Sequence, residues 1–147
     1  MALKRGKKLI NSIATEYDGI SFKSRLEVNC YKALKEADIK FKYEPTSYEV
    51  LGSFLFEHNS YERLANGKGD FINRGNKKVL GMKYTPDFVG DGFIIEVKGR
   101  PNERFPVVWK LFKKMIVTKG IDVDLYMPRN KKDCDDVVES IIKKRKL

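Results

Sequence analysis

The sequence predicts an α/β domain in which helices cover a mixed β-sheet in three layers. Three observations point there. The run Tyr84–Gly99 reads as two short strands around Asp91-Gly92, with Phe88-Val89 and Phe93-Ile94-Ile95 as apolar, largely β-branched or aromatic residues suited to a pleated surface. A helical pattern and further strands precede this run, and a helix, a strand and a last helix follow it, so both kinds of element alternate along one chain. Finally, 147 residues with 41% apolar content, nine Phe and seven Tyr suit one domain with a real core.

Taken in order, residues 1–20 hold no period and read as a flexible basic arm ending in the turn-like Tyr17-Asp18-Gly19, with residues 21–147 as a single domain behind it. From Ser24 the pattern turns helical: Leu26, Cys30, Ala33, Leu34 and Ala37 recur on one face. Ser24 suits an N-cap, and Ser24-x-x-Glu27 is a capping box, in which Glu27 reaches back to a backbone N–H. Two strand-like pieces follow. In Ile39–Tyr43, Ile39, Phe41 and Tyr43 alternate with Lys40 and Lys42, as in a half-buried strand. Ser47–Leu51 is the second piece, set off by Pro45.

Residues 52–81 carry no lasting period and read as a basic insertion or bridge. From Arg63 to Lys83, six cations (Arg63, Lys68, Arg74, Lys77, Lys78 and Lys83) stand against Asp70, with Tyr61 and Phe71 nearby. That mixture suits nucleic-acid contact, and equally a solvated insertion. Beyond the Tyr84–Gly99 run, Phe105–Thr118 reads as a helix with Val108, Leu111, Phe112, Met115 and Ile116 inward, leaving Trp109, Lys110 and Lys113 off that face. Gly120 marks its stop. Asp122–Tyr126 is a strand ended by Pro128, and Asp133–Lys144 a helix with Val137, Val138, Ile141 and Ile142 inward.

The chemistry concentrates at Tyr84–Gly99. A two-residue Asp91-Gly92 loop, with φ > 0 at both positions, sets Gly90 opposite Phe93, Val89 opposite Ile94, Phe88 opposite Ile95 and Asp87 opposite Glu96. Side chains alternate along a strand, so Glu96 and Lys98 share a side with Asp87. Two opposed carboxylates repel, an arrangement that makes sense around a cation. Hard oxygen ligands suit magnesium, with manganese as a substitute, and a nearby ammonium can hold water or stabilise charge on a phosphate. A hairpin end with scattered surface charges fits the same residues, and a one-residue slip would move Asp87 to the other face.

Pro86-Asp87 followed by Glu96-Val97-Lys98 resembles the signature of the PD-(D/E)XK nucleases. With Thr85-Pro86-Asp87-Phe88, Glu96-Val97-Lys98-Gly99 and the upstream Phe22-Lys23-Ser24-Arg25-Leu26-Glu27, the chain is similar to the phage endonuclease I branch, the Holliday-junction resolvases. The resemblance covers about residues 20–45 and 82–100. It implies a restriction-endonuclease-like three-layer fold and magnesium-dependent endonuclease activity on branched DNA. Asp87, Glu96 and Glu27 would be metal ligands, and Lys98 the residue that positions water or stabilises the transition state. It also implies a homodimer formed by segment exchange through about residues 44–83, and a phage or prophage source. Arg25, Arg100, Lys110, Lys113, Lys77 and Lys78 are candidate DNA contacts; Arg25, Lys110 and Lys113 fit a charged outer surface as well. A nuclease of linear duplex and a non-catalytic DNA-binding module are the alternatives.

The charge has two readings, solvated basic ends or, given the resemblance, arms that neutralise DNA phosphates. Of the net +10, Lys4, Arg5, Lys7 and Lys8 supply four charges and Lys143, Lys144, Arg145 and Lys146 another four, which suits sequence-blind phosphate contact by the chain ends. Cys30 and Cys134 lack metal-ligand spacing and read as free thiols of a cytoplasmic protein. His58 is the sole histidine, which removes His-based metal triads and Ser–His or Cys–His nucleophile schemes. No apolar run approaches the length of a membrane span.

Overall fold

The computed structural model describes residues 14–100 and 102–146. In chain order the elements are β1 (Thr15–Tyr17), β2 (Ile20–Phe22), α1 (Arg25–Glu36), β3 (Phe41–Tyr43), β4 (Tyr48–Leu51), β5 (Phe54–Phe56), β6 (Tyr61–Glu62), β7 (Ile72–Asn73), β8 (Lys77–Val79), β9 (Met82–Tyr84), β10 (Phe88–Gly90), β11 (Phe93–Ile95), α2 (Phe105–Lys119), β12 (Asp124–Tyr126) and α3 (Lys131–Arg145). The architecture is mixed α/β with small, mostly antiparallel sheets. Contacts divide it into two compact units. Among the described residues, one holds residues 14–45, 86–100 and 123–146, and the other residues 46–85 and 102–122.

The first unit is built on a four-stranded sheet in the order β12-β11-β10-β3. β11 and β12 run parallel and the other pairs antiparallel, so the sheet is mixed as expected. The register of the central hairpin also agrees with the sequence: Phe88 faces Ile95, Val89 faces Ile94 and Gly90 faces Phe93. Its loop differs in one respect, because Gly92 takes φ of 78° while Asp91 stays outside the positive-φ region. One left-handed residue is enough to close this loop, and only glycine adopts that conformation at no steric cost.

Phe88, Phe93, Ile95 and Val97 pack in one core cluster with Val28, Cys30, Tyr31 and Leu34 of α1 and Cys134, Val137 and Ile141 of α3. Both cysteines are buried free thiols. The helix pattern is borne out, with Ser24 capping α1 by accepting from the Glu27 N–H at 3.1 Å. In the other strand pattern, Ile39 is buried and Phe41 and Tyr43 half-buried while Lys40 and Lys42 are exposed.

The predicted arm needs correcting at its end. Residues 1–13 lie outside the described residues, but β1 and β2 form an antiparallel hairpin whose loop is Asp18-Gly19, at φ of 54° and 74°. The Tyr31 hydroxyl donates to Asp18 at 2.6 Å, which ties this hairpin to α1 and pushes the phenol up to about 12. The strand spans just three residues on each side, too short for a period to show in sequence.

The second unit holds α2 and the segment that carried no period. Residues 48–84 form an antiparallel ribbon, with β4 pairing β9, β5 pairing β8 and β6 pairing β7. The expected bridge is thus a hairpin arm closed on its own chain. The second strand-like piece, β4, pairs there and not with the four-stranded sheet. Tyr48 and Tyr84 pack on Phe112 of α2, with ring centroids 5.5 and 4.7 Å away. Trp109, expected off the apolar face, is buried, stacked on Phe105 at 5.7 Å. Tyr84 lies edge-on to Trp109, widening the buried stripe beyond the helical period.

Candidate functional site

A cavity of about 380 Å³ opens in the first unit, lined by Lys23, Ser24, Leu26, Glu27, Asp87, Glu96, Val97, Lys98, Gly99 and Arg100. Three chain segments build it. The N-terminal turn of α1 supplies Glu27, the residue before β10 supplies Asp87, and the extension after β11 supplies Glu96 and Lys98. Backbone pairing holds that extension in place: the Glu96 N–H donates to the Tyr126 carbonyl at 2.9 Å, and the Lys98 N–H to the Pro128 carbonyl at 3.0 Å. The parallel ladder to β12 thereby continues past β11 and keeps Glu96 and Lys98 on one side.

The three carboxylates are the only buried charged residues among those described, at 4, 4 and 6% exposure for Glu27, Asp87 and Glu96. Buried charges are ordinarily paired or bind a metal. Asp87 is pinned across the hairpin, its Oδ2 accepting from the Val97 N–H at 2.8 Å. Burial, then repulsion from Glu96 and Glu27, pushes its carboxyl up to about 8; the Val97 hydrogen bond and the Lys23 charge oppose that rise. The Lys98 ammonium stands 3.8 Å from Glu96 Oε1.

Glu27 resolves the tension between capping and site. One oxygen, Oε2, does reach back, to the Lys23 N–H at 2.9 Å instead of the Ser24 N–H of a standard box. The same oxygen accepts from the Tyr43 hydroxyl at 2.8 Å. Two donors on Oε2 fix the carboxylate while its residue lines the cavity. Tyr43 sits on β3 opposite Phe88, its ring against Phe22 and Phe88. Its hydroxyl is held far above the usual phenol range by burial and by the Glu27 hydrogen bond and charge.

Tyr43 and Lys23 are the residues that sequence reasoning missed. Alternation had put Tyr43 on a half-buried face. Only the pairing of β3 with β10 reveals that this face ends at the carboxylates. Lys23 lines the cavity, and its ammonium pairs with Glu44 at 2.5 Å.

Of the candidate residues, the cavity unites Glu27, Asp87, Glu96, Lys98 and Arg100. Arg25 is exposed in the first turn of α1 and is not part of the lining. Lys77 and Lys78 are exposed on β8, and Lys110 and Lys113 on α2, all in the second unit. Among the described residues no three acidic, His or Cys side chains close on a point as a finished metal site. The donor set nevertheless fits a hard cation that keeps most of its waters and needs only one or two carboxylates. No protein-family model, curated protein or solved structure matches the chain. No helix among the described residues is long and apolar enough to cross a membrane.

Proposed function

We propose that this protein is a magnesium-dependent DNA endonuclease of the PD-(D/E)XK type, preferring branched DNA and acting as a homodimer on a restriction-endonuclease-like fold. The observation that carries the reading is the cavity itself: three buried carboxylates and an ammonium on three segments, at the positions of the sequence signature. Such a cluster costs stability unless a cation or a proton offsets its charge, so a purely structural role is a poor account of it.

Asp87 and Glu96 would hold the metal, with Glu27 as a further acidic contact. Bound there, magnesium or manganese supplies charge neutralisation at a scissile phosphate. The residues do the rest. Lys98 orients the attacking water or stabilises the charge that develops on phosphate. Tyr43 and the Lys23 N–H keep Glu27 turned to the cavity. Arg100 and Lys23, on the cavity rim, offer cations to flanking phosphates. Two symmetric cuts in a four-way junction require two such sites, and a two-fold dimer is the commonest way to provide them.

The test is cleavage of a labelled four-way junction and a matched linear duplex, with and without magnesium, by the parent and Asp87→Asn. Metal-dependent cleavage that favours the junction and vanishes in the variant is expected. Equal cutting of both substrates by a protein that light scattering finds monomeric removes the resolvase reading. Cleavage in excess chelator removes the metal-dependent one. Binding without any cleavage leaves a non-catalytic DNA-binding module.

A further inference from the structure

The ribbon beyond β4 and β9 contains no buried residue: from Leu51 to Leu80 every position is exposed or intermediate. A two-stranded ribbon without a core is marginal in water. This one is held instead by side chains bonded to its own backbone. Arg74 donates to the Glu62 and Asp70 carbonyls at 3.0 and 3.1 Å, and Arg63 to the Gly69 carbonyl at 2.5 Å. Asn73 Oδ1 accepts from the Ser60 and Gly75 N–H groups, both at 3.0 Å. Gly75 permits the closest approach, since a Cβ there would lie 2.0 Å from the His58 carbonyl oxygen. These bonds define a shape with nothing of its own to bury.

The two faces of the ribbon differ. Phe56, Lys77 and Val79 share a groove of about 240 Å³ with Ser60, Glu62 and Arg74. Leu55 and Lys78, paired across the ladder, therefore lie on the other face. Tyr61 alternates with Glu62 and so joins them, and the ring of Phe71 stands 6.4 Å from that of Tyr61. Tyr61 and Phe71 are 59 and 63% exposed. Open aromatics with a cation on the same face are a means by which proteins hold unpaired nucleic acid, rings stacking on bases and ammonium groups following phosphates. A second copy of the chain is the poorer occupant. On a two-fold axis a patch meets itself, which would bring Lys78 against its own equivalent.

We propose that the ribbon is a nucleic-acid-binding arm, with Tyr61 and Phe71 stacking on unpaired bases and Lys78, on the same face, contacting phosphate. The proposal rests on the DNA-acting reading of the protein and names the feature of a branched substrate that the arm takes: the bases left unstacked at the branch.

The experiment uses the full chain without divalent metal, so that binding is read apart from cleavage. The probes are a fluorescein-labelled duplex and the same duplex carrying a short single-stranded gap with 2-aminopurine in it. For the parent, the gapped probe should bind more tightly and its 2-aminopurine signal should respond to stacking. Tyr61→Ala/Phe71→Ala should weaken the gapped probe at least about tenfold, leave the intact duplex within about twofold and abolish the 2-aminopurine response. Lys78→Ala should weaken both probes alike and lower the salt slope by about one. Unchanged gapped-probe binding and stacking signal in the aromatic variant overturn the proposal. So does a fall in mass from dimer to monomer on light scattering, which would assign the arm to a second copy. Cleavage by Asp87→Asn, run beside these, reports separately on the nuclease chemistry.

Discussion

The two units solve opposite problems. The first buries three carboxylates beside a packed core and accepts their repulsion. In the second, the ribbon buries nothing and spends its polar side chains on its own backbone. A buried cluster is expensive to keep and readily disturbed, whereas an exposed ribbon tolerates change at most positions. The difference teaches where function should be sought by energetic cost. In the first unit it lies in groups whose burial is unfavourable, and in the ribbon it lies in exposed groups that nothing in the chain needs.

Substitution at the core should give the largest effect. Phe88→Ala removes a fully buried ring that touches Phe41 and Tyr43 and should cost about 3–5 kcal/mol in denaturant unfolding. A loss below about 1 kcal/mol would mean that the sheet of the first unit is not where its stability lies.

Next comes Lys98→Ala. It should lower the cleavage rate by roughly 10²–10³-fold, as for loss of a transition-state donor, with DNA affinity nearly unchanged because many other cations remain. Full activity in single-turnover assays would remove Lys98 from the chemistry. Glu27→Gln should stay folded, since it can still accept from Lys23 and Tyr43, yet lose most cleavage. A variant that is merely less stable would return Glu27 to helix capping alone.

Tyr43→Phe should cost about tenfold in activity, the scale for a residue that orients a ligand, and should weaken apparent magnesium affinity while the melting temperature moves little. A change in melting temperature with unaltered metal dependence would make the hydroxyl purely structural.

Stability should also depend on pH through Asp87. Its folded carboxyl titrates at about 8 against 3.8 for the ordinary group, so the folded state binds the proton more tightly. The contribution is therefore present at acid pH and lost as pH rises from about 4 through about 8. Asp87→Asn keeps an acceptor for the Val97 N–H, so its melting temperature should exceed the parent's above pH 8 and converge with it near pH 4. Parallel melting curves across that range would show that no such strain is present.

The ribbon should give the smallest stability effect. Leu55→Ser and Phe71→Ser, at side chains 60 and 63% exposed, should each shift unfolding by under about 0.5 kcal/mol. A large loss would mean that this face is already covered, and the contrast between the two regions would fall.

The sequence by itself determined the elements whose residues divide between core and water. Ile39, Phe41 and Tyr43 alternate because one side of β3 meets the core, and α1 shows its stripe because it packs on the same cluster. The Asp91-Gly92 loop set the register that puts Asp87 and Glu96 together, since a two-residue loop leaves only one pairing. The ribbon was not legible, because a strand that buries neither face leaves no period in its residues. Nor could local pattern show that β4 leaves the main sheet, that Trp109 turns inward to Tyr84, or that Tyr43 ends beside Glu27. Those are pairings between residues distant in the chain. Only the tertiary structure decides them, because their free energy comes from partners that no local stretch of sequence contains.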